Sequence, residues 1–260
     1  VKKPVIGIQL YTLRDFMQNA EDFDNMLARL ADLGVKDVQI SAIGDIPAEV
    51  QAEILKKHDM KVCVTHKPFE RMINDLDNLI AEHKIIGCDA LGLGAAGSDM
   101  RENSSNVRKF IADTAEIGKK LAENGMTFNY HNHAFEFEKL DDADMCMMDL
   151  LLSETDPDTF NFIPDVAWIH YAGRNPVDVL QDMKGRVKVL HFKDYIIDEN
   201  NERHFVSLGK GIVNLQECYD LACELEIPYN DNEKPHKKLL DNRTYRPREI
   251  NFGGSSFRVD

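Results

Sequence analysis

Short apolar runs alternate along this chain with longer segments in which apolar residues return every third or fourth position. A brief apolar run suits a buried strand, whereas the longer spacing lines up one face of a helix. Val5–Leu10 predicts a first strand, and Phe23, Leu27 and Leu30 predict a helix that stops near Gly34. Val38–Ile40 predicts a second strand, followed by a helix that Pro47 opens and that carries Val50, Ile54 and Leu55. Lys61–His66 is a third strand, before one long helix over Phe69–Ile86 closed by Gly87. Ala90–Leu93 is a fourth, ending in glycines, and the helix Val107–Leu121 meets its stop at Asn124-Gly125. Thr127–His131, the helix Met145–Leu152 and Phe160–Ile163 continue the alternation. A short helix opened by Pro176, a seventh strand Val187–Phe192 and a helix Leu215–Leu225 complete it.

Seven strand-then-helix units imply parallel strands joined by crossover helices. The fold class expected is α/β, a TIM (β/α)8 barrel with an anomalous or incomplete eighth unit. A doubly wound sheet has the same periodicity, but Gln9-Leu10-Tyr11-Thr12 stands where a glycine-rich dinucleotide loop would follow the first strand. An eighth strand is due near Ile227. The chain instead reads Ile227-Pro228-Tyr229-Asn230-Asp231-Asn232-Glu233-Lys234, too polar for a central barrel strand. Charge changes at the same place: residues 1–229 hold 24 Lys/Arg and 40 Asp/Glu, residues 230–260 hold 7 and 5. The expected organisation is a barrel over 1–229 and an atypical tail over 230–260 that replaces or distorts the eighth unit. A reading frame lost near Asn230, or a damaged final unit, would produce that pattern, and so would a natural irregular extension. Resequencing the gene separates them.

The formal net charge of -14 speaks against a long nucleic-acid footprint, which needs a basic surface. No apolar run is long enough to span a membrane, and the first ten residues lack the cleavage site of a secretory signal. Five cysteines with no CxxC pair fit reduced, mostly buried thiols, so a cytoplasmic protein is expected.

Polar residues close several of the strands: Gln9, His66, His131, Asp165 and His191. A barrel gathers such strand ends around one mouth, where active sites form. The segment Tyr130-His131-Asn132-His133-Ala134-Phe135-Glu136-Phe137 is the densest signal. Its histidines suit metal ligation, proton transfer or recognition of substrate oxygens. Asp165 follows an apolar strand and must be paired, solvated or metal-bound, and Asp with His at neighbouring strand ends fits a mixed O/N divalent site. Lys193 can neutralise a substrate oxyanion or phosphate, or pair with Asp194. Gly209-Lys210-Gly211 reads as a turn that could offer backbone donors to an anion. Trp168 and Phe69 can line the apolar face of a sugar or simply pack.

From Gly7-Ile8-Gln9-Leu10-Tyr11-Thr12-Leu13-Arg14 to about Pro228 the chain resembles the xylose-isomerase-like TIM-barrel superfamily, in its sugar phosphate isomerase/epimerase branch. Tyr130–Phe137, Asp165-Val166-Ala167-Trp168, Leu190-His191-Phe192-Lys193-Asp194 and Leu208-Gly209-Lys210-Gly211 carry the resemblance. It implies one divalent ion, Mn or Mg before Zn or Co, with one ligand from each of strands five to eight. By position these ligands are His131 or Glu136, then Asp165, His191 and, after a strand that this chain lacks, Glu233. It further implies isomerisation or epimerisation of a sugar, keto-sugar or sugar phosphate through an enediolate. Glu136, His131 and Glu233 are then the candidate acid–base groups, and Gln9, His66, His133, Trp168 and Lys193 the substrate contacts. Dehydration of a keto-sugar or inositol derivative is the enzymatic alternative, and a non-catalytic sugar-binding barrel the other. The expected partner is a small carbohydrate or polyol, neither nucleic acid nor membrane, and a homo-oligomer would cover open barrel edges. Trp168, where the family often has His, separates the chain from family 2 DNA-repair endonucleases.

Overall fold

The computed structural model describes residues 4–227 and the backbone of two short strands, Arg248–Phe252 and Ser255–Val259. Six strands form a parallel sheet in chain order: β1 (Ile8–Gln9), β2 (Asp37–Ile40), β3 (Lys61–His66), β4 (Ala90–Leu93), β5 (Thr127–His131) and β6 (Phe160–Ile163). Between them run α1 (Ala20–Asp32), α2 (Ala48–Lys57), α3 (Phe69–Asn74), α4 (Leu76–Ile86), α5 (Ser104–Glu123) and α6 (Met147–Glu154). Then come α7 (Val166–Tyr171) and α8 (Pro176–Asp182), the antiparallel hairpin β7 (Asp194–Ile197) with β8 (Arg203–Val206), and α9 (Leu215–Glu224). This is an α/β fold consistent with a (β/α)8 barrel whose closing unit is atypical.

The helices start and stop for local reasons. The Asn19 side chain accepts from the Asp22 amide to cap α1, and Asn103 does the same for α5 through Asn106. Gly87 ends α4 in the left-handed region (φ 70°), where a side chain would be strained. The single long helix expected over 69–86 is two: Asp75 leaves the helical region, and its carboxylate is bonded by Arg71 and Asn78. The first strand is only two residues long, because Gln9 Oε1 accepts from the Tyr11 amide and turns the chain into a 3₁₀ segment over Leu10–Phe16.

The expected seventh strand is a looser element. Residues 187–192 run parallel to β6 but touch it as isolated bridges, Phe162 with Val187 and Asp165 with His191. The register slips by one residue between those bridges, at Pro164, which has no N–H to donate. The backbone bonds that remain are Phe162 N–H to Arg186 O (2.7 Å), His191 N–H to Pro164 O (2.8 Å) and Val166 N–H to His191 O (3.2 Å).

Two apolar clusters fill the molecule. One gathers Leu10, Phe23, Leu27, Val38 and Val64 around the first units; the other gathers Phe110, Phe128, Tyr130, Phe160 and Phe162 around the later ones. Each fully buried side chain of that size contributes about 1.5–3 kcal/mol relative to exposure. The rigid core holds the carboxyl ends of β3, β5 and β6 in place. The five cysteines are free, and among the described residues no helix is long and apolar enough to cross a membrane.

Candidate functional site

His131 closes β5, Asp165 follows β6, and His191 pairs with Asp165 across the slipped register. All three are buried, and one ligand atom from each lies within 4.8 Å of the others. His131 Nε2 is 3.4 Å and His191 Nδ1 3.9 Å from Asp165 Oδ2. Their neighbours fix which nitrogens carry hydrogen in the neutral rings. The Gly94 carbonyl can only accept, so His131 donates through Nδ1 (3.0 Å) and Nε2 keeps its lone pair. Gln39 Oε1 sits 2.6 Å from His191 Nε2 and accepts from it, which leaves His191 Nδ1 as a lone pair. That atom is buried with no hydrogen-bond partner.

Three acceptors therefore face one another in a buried space. The Lys193 ammonium meets Asp165 Oδ2 at 2.9 Å, but it leaves the His191 lone pair buried and unpartnered, which a further cation between the three would satisfy. Two neutral imidazoles and a carboxylate, each oriented by a second hydrogen bond, are the donor set of a divalent ion, and the residues present fit one. Asp165 is further held by its other oxygen, which accepts from the Ala167 and Trp168 amides (both 3.2 Å) and caps α7.

The surrounding charges act on these groups. Burial alone would raise the Asp165 pKa, but the Lys193 ammonium at 2.9 Å and the two histidines hold it below the usual carboxylate range. Burial holds His66 and His191 well below the ordinary imidazole value, and pushes His133 down to about 4, with His131 and Lys193 adding to it. His66, His133 and His191 are thus kept neutral, the form in which an imidazole binds a cation. Gln39 ties two of them together, because its Nε2 lies 2.9 Å from His66 Nε2 while its Oε1 holds His191. The His66 ring fits only because β4 carries glycine beside it: a β-carbon on Gly92 would lie 2.9 Å from His66 Cδ2.

Of the residues singled out from the sequence, His131, Asp165 and His191 come together, with His66, His133, Trp168 and Lys193 around them. His133 contacts His131 and Trp168 (ring centroids 4.9 and 5.0 Å). Lys193 faces Asp165, not Asp194. Asp194 is buried and takes the backbone N–H groups of Gly209, Gly211 and Val213, so the glycine turn encloses the chain's own carboxylate. Two candidates stand apart. Gln9 caps the 3₁₀ segment, and Glu136 accepts from Tyr130 OH (2.7 Å) and the His133 amide (2.8 Å), outside the group of three. Burial raises the Glu136 pKa to about 7. Glu233 lies outside the described residues, as does the expected domain boundary at 229. Gln39 escaped notice, although a glutamine inside the buried strand Asp37–Ile40 is a signal in its own right. The β7–β8 hairpin, which brings Arg203 and Phe205 to Trp168, was also missed.

A barrel with a chelating His/Asp cluster at its strand ends is the class of protein that fold and site define. The chain belongs to the xylose isomerase-like TIM barrel family, whose sequence profile matches residues 27–225. The inosose dehydratase of Clostridium beijerinckii is 30% identical over 91 residues, 35% of this chain and 29% of that protein. The chain thus matches less than a third of the length of this curated relative. A sugar phosphate isomerase/epimerase from Parabacteroides distasonis superposes with a TM-score of 0.71 at 22% identity, over 92% of this chain and 89% of that one. A xylose isomerase domain protein from Planctomyces limnophilus gives 0.63 at 18% identity, over 86% and 88%. At these identities the two structures speak for the fold.

Proposed function

We propose that the protein eliminates water from a polyhydroxy ketone, a keto-sugar or an inosose-like cyclitol, with a divalent cation in the buried His/Asp site. The observation that carries this reading is the convergence of His131 Nε2, Asp165 Oδ2 and His191 Nδ1, three acceptors with their tautomers set from behind. An ion held there would draw electron density from a substrate carbonyl and make the adjacent C–H more acidic. Two imidazoles with one carboxylate suit Mn²⁺, Co²⁺ or Zn²⁺ better than Mg²⁺, which prefers oxygen ligands.

The chain's own groups supply the rest. His133, a neutral imidazole against His131 with an unpartnered Nδ1, is the base that would accept the proton from carbon. Lys193 is the nearest ammonium and can protonate the departing β-hydroxyl. The C–H and C–O bonds break, a C=C bond forms, and water leaves. Glu136 is a positioning residue in this scheme, because it holds the His133 backbone.

Elimination is favoured over epimerisation by the inosose dehydratases among the sequence relatives. An epimerase must also remove and return a proton on opposite faces, and among the described residues Asp165 is the sole carboxylate in the group of three. Isomerisation or epimerisation remains the second reading, supported by the whole-chain likeness to the Parabacteroides protein. Both start with the same proton removal. Incubating the metal-loaded protein with inosose, ketoses and keto-sugar acids in D₂O, and reading products by NMR, separates them: an unsaturated or deoxygenated product supports elimination, an epimer the second reading.

A further inference from the structure

Many basic side chains of this acidic molecule lie against carboxylates, such as Lys36 on Asp59, Lys57 on Asp24, Arg71 on Asp75 and Glu82, and Arg108 on Glu154. Two arginines beside the site do not. The Arg203 guanidinium carbon lies 3.9 Å from the Trp168 ring centroid, 4.2 Å from Tyr171 and 4.8 Å from Phe205. Arg101, in the loop after β4, lies 3.8 Å over Phe135, which stacks on His133 (5.2 Å, 11°). Neither arginine has a carboxylate partner among the described residues, and Arg203 Nη1 and Arg101 Nε are buried without a hydrogen bond.

The pair brackets the reaction site. Arg101, Phe135, His133, Trp168 and Arg203 form one continuous layer, and His133 Nδ1 and Trp168 Nε1 within it are also buried and unpartnered. Phe205, on the same face of β8 as Arg203, reaches Lys193 (5.7 Å from Nζ to the ring centroid), which itself touches Asp165. His204, on the other face, pairs with Asp198. The aromatic rings fix the guanidinium plane, and its buried Nη1 has no acceptor in the protein. In a chain of net charge -14, Arg203, with Arg101 partly offset by the Glu136 carboxylate, makes a local field that draws in anions.

We propose that the substrate carries a carboxylate, which Arg203 binds while Arg101 adds to the field. A planar two-oxygen anion matches a guanidinium edge. A phosphate would favour a backbone cradle, and the one formed by Gly209 and Gly211 is already filled by Asp194. The substrate class is therefore a keto-sugar acid or a carboxylated cyclitol. This deepens the proposed reaction and rests on the same mouth being the substrate site.

Calorimetry with three probes tests it without turnover: 5-keto-gluconate, fructose and fructose 6-phosphate. The keto-acid binds at least about tenfold more tightly than fructose. Arg203→Met abolishes that preference and leaves fructose binding unchanged, Arg203→Lys recovers part of it, and Arg101→Met weakens it less. In the wild-type protein, raising NaCl from roughly 50 to roughly 500 mM weakens binding of the keto-acid and leaves that of neutral fructose unchanged. Should Arg203→Met fail to fold, the wild-type comparison decides. Equal binding of keto-acid and fructose, no binding of any probe, tighter binding of the phosphate, or an Arg203→Met loss shared by all three overturns the proposal. Failure of the elimination reading shows separately, as absence of an unsaturated or deoxygenated product in D₂O.

Discussion

Asp165 is the residue on which the site turns, since one oxygen caps α7 and the other meets both imidazoles and Lys193. Asp165→Asn keeps the cap and removes the charge. It is expected to abolish uptake of divalent ion, read as metal content after dialysis or by calorimetry. Gln39→Leu removes the group that orients His191 and is expected to weaken metal binding by about 10- to 100-fold. Glu136 gives a pH signature. Its pKa in the fold is about 7 against an ordinary 4.5, so between those values the folded protein holds a proton the unfolded chain has lost. Its contribution to stability is therefore full below about pH 4.5 and is lost as pH rises through about 7. Melting temperatures from about pH 5 to about pH 8 should fall less steeply in Glu136→Gln than in the wild type. At this scale, His131, Asp165 and His191 were legible in the sequence because each ends or follows an apolar run. Gln39 was not, because four buried residues in a row, Asp37–Ile40, show no alternation that would mark one of them as facing the mouth.

Among the elements, the β7–β8 hairpin is the least ordinary, since it places Arg203 and Phe205 against Trp168. It is anchored by Asp194, whose carboxylate accepts the Gly209, Gly211, Val213 and Tyr195 amides. Asp194→Ala leaves these donors without their buried acceptor and is expected to cost on the order of 3 kcal/mol in urea unfolding. Gly211→Ala should loosen the same turn, because a β-carbon there collides with Asp194 Oδ1. Hydrogen exchange over 194–213 reads both. The strands β3, β4, β5 and β6 were legible to the residue, since their mostly buried positions make each a short, largely apolar run. The hairpin was hidden because its strands are half exposed and carry charge. The segment 187–192 was read as a full strand because Pro164, which breaks its pairing, lies on the neighbouring strand's side.

For the whole molecule, a sheet of six parallel strands and its helices set one mouth, and beside it on this acidic chain stand Arg101 and Arg203, with no carboxylate ion pair among the described residues. The order of the six parallel strands, and most of the helices between them, could be read from periodicity alone. The closing unit could not, because the polar run after Ile227 gives no strand pattern. Binding of an ion to the folded site alone stabilises the fold by mass action. Adding Mn²⁺ or Zn²⁺ to the chelator-treated protein is thus expected to raise its melting temperature, and Asp165→Asn should not respond.

The most direct test of the central claim is an NMR measurement of the metal-loaded protein with inosose and keto-sugar acids in D₂O. Loss of the C–H next to the carbonyl together with loss of the β-hydroxyl, giving an unsaturated or deoxygenated ketone, is the predicted result. Exchange that yields only an epimer or isomer, or no reaction across the panel while the ion is bound, contradicts it.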